Sequence, residues 1–222
     1  MNRTDLPAPP LPLGRPRLVV TGFMGTGKTT AGRVAAERLE LPFLDLDEIA
    51  ERRMGSSIAE AFARSGEERF RTLERALLRE ASALSSTVVA TGGGAAMHEA
   101  EFGAFTVEDE VAVLSATEEE IEARLSRASD RPLLAADLKG RIRELLEERA
   151  SRYAAVGRQL VTTGRSIDDV ADEMSARYRQ RVDISAPVTI EVGGDADSHG
   201  PVIIGAGAVG ALGAEVTRRL PD

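Results

Sequence analysis

Between residues 17 and 180 the apolar positions follow two alternating rhythms. Short runs rich in Val, Leu, Ala and Phe, at 17–20, 42–45, 87–90, 110–114 and 159–163, read as strands buried in a sheet. The longer stretches between them repeat every three to four residues. Residues 30–39 gather Val34, Ala35 and Leu39 on one side, and residues 66–84 gather Phe70, Leu73, Leu77 and Leu84. Residues 117–128 open with Thr117 followed by Glu120, the spacing of a capping box. Strands alternating with helices predict an α/β fold: a five-stranded parallel sheet with helices on both faces.

The two ends depart from this rhythm. Residues 1–16 hold Pro7, Pro9, Pro10, Pro12 and Pro16 with no apolar period, and read as a disordered leader. Residues 188–192 alternate like a half-exposed strand, 193–200 form a polar turn, 201–204 form a second strand, and 212–220 begin a helix. Such a hairpin and partial helix is too small to bury a core of its own. Gly205-Ala-Gly207-Ala-Val-Gly210 matches G-x-G-x-x-G after a strand. A dinucleotide site also needs a second strand ending in an acidic residue about 20 positions on, so this match is not read as one.

Composition narrows the chemistry. The 222 residues are 42% apolar but include no Trp, six Phe and two Tyr, so the core is built of aliphatic side chains. A net charge of −8 without a run of Lys or Arg counts against a nucleic-acid or acidic-membrane partner. The chain has no Cys, which removes disulfides, thiolate metal sites and thiol nucleophiles together. With only His98 and His199, neither a histidine metal cluster nor a Ser-His-Asp triad is expected. The absence of a long apolar run or a signal-peptide pattern predicts a cytoplasmic protein.

The most specific stretch is Gly22-Phe-Met-Gly-Thr-Gly-Lys28-Thr29, which fits G-x-x-x-x-G-K-[ST] between a predicted strand and a predicted helix. Its glycines let backbone N–H groups close on phosphate oxygens. Lys28 adds a point charge for the β- and γ-phosphates, and the Thr29 hydroxyl can ligate Mg²⁺. The following helix turns its positive end toward the same anion. The ligand is therefore a nucleoside triphosphate.

Three further groups of residues narrow the reading of this nucleotide-binding domain. Asp45 and Asp47 fall two apart at the end of the second strand, where period two would put both carboxylates on one face. The competing reading is that Asp47 caps a helix with Glu48 in its first turn. Thr91-Gly92-Gly93-Gly94 follows the third strand and can let a small polyol approach the backbone. Arg71, Arg131 and Arg149 are the candidate anion binders, although a lone helical Arg is usually a solvated one.

Taken in order the chain reads GFMGTGKTT, DLD, SIAEAFARSGEERFRTLE, TGGGA, RPLL and ERASRY. These spaced motifs resemble shikimate kinase, from about residue 17 to about residue 181. The resemblance implies a P-loop, nucleoside-monophosphate-kinase-like domain that moves the γ-phosphate of ATP to the 3-hydroxyl of shikimate, in chorismate and aromatic amino acid biosynthesis. It implies that Gly25, Thr26, Gly27, Lys28, Thr29 and Thr30 cradle the phosphates, with Mg²⁺ at Thr29 and Asp45. Asp47 would be the base. Arg71 and Arg149 would hold the substrate carboxylate, Gly92, Gly93 and Gly94 its ring hydroxyls, and Phe62, Phe70 and Glu74 would wall or brace the pocket. Arg131 would sit in a lid and reach the transferring phosphate, while Arg124 and Arg165 would contact the adenine nucleotide. Thr29 stands where the family often has Ser, and the approach to the lid, Ser126-Arg-Ala-Ser-Asp130, is this chain's own.

The alternative is another small-molecule kinase of the same fold, of the gluconate type. A GTPase-like switch would need an Asn/Thr-Lys-x-Asp motif, and the sequence has none. Residues 188–213 resemble the opening of 3-dehydroquinate synthase, which implies a fusion to, or association with, an enzyme of the same pathway. The synthase's metal ligands and cofactor residues are missing from the segment, so it is expected to be non-catalytic. The expected division is a leader at 1–16, a kinase domain at 17–181 and the synthase-like segment at 185–222, acting as a monomer on shikimate.

Overall fold

The computed structural model describes residues 16–105, 108–127, 138–185, 188–190 and 202–204. Strands β1 (Leu18–Gly22), β2 (Phe43–Asp45), β3 (Val88–Ala90), β4 (Glu110–Ser115) and β5 (Arg158–Val161) form one sheet in the order β2-β3-β1-β4-β5. Every neighbouring pair is parallel. Parallel strands need crossovers, and the crossovers cover both faces. That is why the strands read as continuous apolar runs.

Alternation along each strand divides the core into two layers. Leu18, Val20, Val88, Ala112, Leu114 and Leu160 face the helices α1 (Lys28–Leu39) and α8 (Ile167–Ser185). Small residues on α1, Ala31, Ala35 and Ala36, let that helix lie close to the sheet. Val19, Val89 and Val113 face the other layer, with α2 (Leu46–Met54), α4 (Glu67–Ser82), α6 (Glu118–Arg127) and α7 (Leu138–Val156). Each fully buried Val or Leu side chain among these contributes about 1.5–3 kcal/mol of burial. The short α3 (Ile58–Ser65) and α5 (Glu99–Phe102) complete the second layer. All five predicted strands are present, most within a residue or two of their expected bounds.

Three local expectations are corrected. Leu84 is 43% exposed rather than inward, because α4 ends at Ser82 and the helical period ends with it. The capping box at Thr117 is half-formed: its hydroxyl accepts from Glu120 N–H at 3.4 Å, but the Glu120 carboxylate pairs forward with Arg124. The third concerns the acidic pair. β2 stops at Asp45 and α2 starts at Leu46, so the period-two argument does not carry to Asp47. Asp45 is the cap, accepting the N–H groups of Asp47 and Glu48, and Asp47 lies in the first helical turn.

The start of the domain is fastened by a buried pair. Arg17 bonds Asp109 through Nη2 at 2.6 Å and through its backbone N–H at 2.8 Å, and also reaches the carbonyls of Ser82 and Leu84. Pro16, assigned above to the leader, already packs here: its carbonyl accepts the Tyr178 hydroxyl at 2.9 Å. Residues 1–15 lie outside the described residues. The expected C-terminal hairpin is present as β6 (Val188–Ile190) and β7 (Val202–Ile204), antiparallel with Val188 opposite Ile204. The turn at 193–200 and the helix expected at 212–220 lie outside the described residues. No described helix is long and apolar enough to cross a membrane.

Candidate active site

The site is built at the C-terminal ends of the strands. After β1 the chain turns through Phe23 to Gly27 into α1. Gly27 caps that helix at φ 93°, ψ 18°, a left-handed conformation in which a side chain would be strained. The helix starts at Lys28, two residues earlier than the sequence pattern suggested, so the N–H groups of Lys28, Thr29 and Thr30 belong to its open first turn. The loop also braces itself: the Thr26 hydroxyl donates to the Phe23 carbonyl at 2.8 Å, and Lys28 Nζ donates to the same oxygen at 2.9 Å. Lys28 is thereby held across the mouth of the loop. Arg124, from α6, donates to the Gly25 carbonyl at 3.0 Å, which puts its guanidinium at the loop's rim.

Beside the loop, Asp45 does two jobs with two oxygens. Oδ1 caps α2, while Oδ2 accepts the Thr29 hydroxyl at 2.6 Å. A hydroxyl and a carboxylate oxygen thus sit together at the start of α1, the hard donors that suit Mg²⁺. Among the described residues no group of three or more His, Cys, Asp or Glu could cage a metal.

The triple glycine explains itself by what approaches it. A Cβ on Gly92 would stand 2.7 Å from Asp47 Oδ1 and 2.6 Å from Glu74 Oε1. One on Gly94 would stand 2.3 Å from Arg71 Nη1, and one on Gly93 would crowd the Met24 backbone N–H at 3.2 Å. Side chains here would evict the acidic pair, the arginine and the phosphate loop in turn. The segment is thus the floor on which these groups meet.

Arg71 lies over Phe62 and Phe70, 5.9 and 5.4 Å from the ring centroids, and those rings pack edge to face at 5.1 Å. Its Nη1 bonds Glu74 at 2.7 Å, and its Nε and Nη2 bond Glu67 at 3.0 and 2.6 Å. Burial works against its charge, but Glu74 and Glu67 more than offset this and hold its pKa above the ordinary value. These bonds use three of its five N–H groups. Glu74 is only 3% exposed, and its Oε1 has no hydrogen-bond partner.

From α7, Arg149 and Tyr153 both donate to the Gly93 carbonyl, at 3.1 and 2.5 Å. Arg149 also lies 5.8 Å over the Phe23 ring, linking this helix to the phosphate loop. It is buried, and its Nε has no hydrogen-bond partner. Burial pushes the Tyr153 phenol up, against the opposing pull of Arg149, so Tyr153 stays a neutral donor. Arg165 is placed differently. Its guanidinium bonds Glu173 at 2.6 Å and the Asp169 carbonyl at 3.0 Å, both on α8. Arg131 lies outside the described residues.

Two residues of this cluster were not singled out from sequence. Tyr153 follows Arg149 by four, the spacing of one helix face, which is a signal that could have found it. His98, whose Nε2 is 2.8 Å from Glu74 Oε2, had no such signal.

The chain is similar to known proteins over most of its length. The shikimate kinase family profile matches residues 24–179. The shikimate kinase of Caldanaerobacter subterraneus subsp. tengcongensis is 41% identical over 162 residues, 72% of this chain and 95% of that protein. That of Geobacter metallireducens is 42% identical over 165 residues, 74% of this chain and 92% of that protein. Among solved structures, the shikimate kinase from Acinetobacter baumannii in complex with shikimate superposes with a TM-score of 0.65 at 33% identity, covering 75% of this chain and 92% of that one. A gluconokinase from Sinorhizobium meliloti gives 0.51 at 15% identity, which shows the fold alone. A phosphate loop, a carboxylate pair and two arginines meeting on a triple glycine, together with these matches over most of the chain, place the protein in the shikimate kinase family.

Proposed function

We propose that this chain phosphorylates the 3-hydroxyl of shikimate with ATP as co-substrate. The observation that carries the reading is the convergence of Arg71 and Arg149 on the Gly93–Gly94 floor, next to the phosphate loop. Shikimate is a carboxylated polyol, and planar guanidinium groups suit a carboxylate. The buried, unpartnered Nε of Arg149 and the remaining N–H groups of Arg71 are donors such a carboxylate can complete. Phe62 and Phe70 would wall the ring, Glu74 would hold Arg71, and Gly92 to Gly94 would floor the hydroxyls.

In the transfer, Asp47 takes the proton of the 3-hydroxyl as its oxygen bonds the γ-phosphorus. The bond from that phosphorus to the β,γ-bridging oxygen breaks, and ADP leaves. Such transfer depends mostly on alignment and on neutralising charge. Residues Gly25 to Thr30 hold the phosphates, Lys28 and Arg131 meet the charge on the moving group, and Arg124 and Arg165 flank the nucleotide. Mg²⁺ bound through Thr29, with Asp45 behind it, would supply further positive charge to the phosphate oxygens.

Three coarser readings accompany this one. The kinase domain spans residues 17–181 and acts as a monomer, the first part being supported by the single five-stranded sheet and the packing of α8 on it. Residues 188–213 are a synthase-like opening without catalytic groups, a reading supported by the β6–β7 hairpin and the glycine-rich run after it. The reaction belongs to the cytoplasm, and no nucleic acid or membrane takes part.

The test is a coupled assay of ADP release with Mg²⁺ and ATP. Release should be rapid only when shikimate is added. Equal rates with and without shikimate, or a preference for gluconate, overturn the assignment.

A further inference from the structure

We infer that His98 is a positioning residue for the carboxylate clamp: it ties the glycine floor to α4 through Glu74 and so fixes the aim of Arg71. The inference rests on the shikimate kinase reading above.

Glu74 Oε2 meets two donors from different parts of the fold. Arg71 Nη1 reaches it at 2.7 Å from the same helix, three residues earlier, and His98 Nε2 lies 2.8 Å away. The carboxylate oxygen accepts in this contact, so Nε2 is the donor and carries the hydrogen. His98 is itself anchored by its backbone: its N–H donates to the Ala95 carbonyl at 3.1 Å, and its own carbonyl accepts from Phe102 N–H at 2.8 Å. Ala95 follows Gly94 directly. The imidazole is therefore a strut between the turn that continues the glycine floor and the helix that carries Arg71.

The strut matters because Arg71 has two acidic partners of unequal grip. Glu67 is 60% exposed, and a bond to it is screened and mobile. Glu74 is buried, so it is the partner that decides where the guanidinium rests. Yet Arg71 cannot pin Glu74 by itself, since both ride on α4 and can shift together. Oε1 gives no second anchor, having no hydrogen-bond partner. His98 is the attachment that comes from outside the helix. The clearance it protects is small: the Arg71 guanidinium passes where a single added carbon on Gly94 would collide with it.

The experiment is steady-state kinetics on the full chain, with wild type, His98→Ala, His98→Gln, Glu74→Ala and the His98→Ala/Glu74→Ala double variant. Gln places an amide N–H about where Nε2 stands. His98→Ala should raise the KM for shikimate about 5- to 20-fold, part of the value of a charge-assisted hydrogen bond, with kcat and the KM for ATP within about twofold. His98→Gln should recover most of the loss. In the Glu74→Ala background, His98→Ala should add less than about twofold, because the two act as one unit. If Glu74→Ala does not fold, the same cycle against Arg71→Lys should show the same loss of effect. An unchanged shikimate KM in His98→Ala, or an equal loss with and without Glu74, overturns the inference. So does a lowered Tm in which kcat and both KM values move together, which is the mark of a fold role. Wild-type protein lacking shikimate-dependent ADP release overturns the functional reading and this inference with it. Wild-type turnover with an unaffected His98→Ala overturns this inference alone.

Discussion

Asp47 and Glu74 stand against the same point above Gly92, yet their surroundings give them different work. Glu74 is buried and engaged by Arg71 and His98, while Asp47 is half-buried in the first turn of α2. In the proposed transfer it is Asp47 that meets the substrate hydroxyl. Asp47→Asn should therefore lower kcat by about 10²-fold or more, the contribution of a general base, with little change in ATP binding. Near-normal turnover in that variant would remove Asp47 from the chemistry. The roles proposed for the arginines divide in the same way. Arg71→Ala and Arg149→Ala should each raise the KM for shikimate by roughly 10- to 100-fold, the value of about 1.5–3 kcal/mol for a hydrogen bond to a charged group. Arg131→Ala should act mainly on kcat, as a group engaging charge that develops in transfer. Shikimate titrations in which Arg131→Ala loses affinity and Arg71→Ala does not reverse the assignment. Arg71→Lys guards against misfolding from an orphaned Glu74, since it keeps a charge beside that buried carboxylate.

At the scale of elements, the start of α2 joins a helix cap to the metal contact proposed for Asp45. Asp45 caps it with Oδ1 and receives Thr29 with Oδ2. Two substitutions separate the roles. Asp45→Ala should cost about 1 kcal/mol of stability, as a lost N-cap does, whereas Asn caps as well as Asp and should cost almost nothing. Both should raise the Mg²⁺ concentration needed for half-maximal turnover. Denaturant unfolding reads the first effect and a Mg²⁺ titration reads the second. An Asp45→Asn protein with unchanged Mg²⁺ dependence would show that the capping role is the whole role.

For the whole molecule, the described contacts of the site run from the phosphate loop to α7. The first layer of the core is completed by α8, whose Val170, Ala171, Met174 and Tyr178 are buried against the sheet. A chain ending at Ser185 should therefore keep kcat and both KM values within about twofold, the margin expected for changes at independent, distant sites. Loss of shikimate turnover in such a chain, with a cooperative thermal transition intact, would mean that residues after 185 complete the site.

The strand pattern was legible because parallel strands buried on both faces leave an apolar run that no other element needs. The phosphate loop was legible because its chemistry lies within eight consecutive residues, Gly22 to Thr29. Local sequence also suggested the hairpin at β6 and β7. What it misjudged were boundaries: Leu84 lost its inward direction when α4 ended two residues before it, and the cap fell to Asp45 because β2 gave way to α2 without a linker. Tertiary structure alone decided the rest. The glycines at 92–94 are required by an aspartate, a glutamate, an arginine and the phosphate loop arriving from distant parts of the chain. His98 meets Glu74 across 24 residues, and Arg149 meets Gly93 across 56. Periodicity reports which side of an element is apolar, but which polar groups come within a bond length of one another depends on how the elements are stacked.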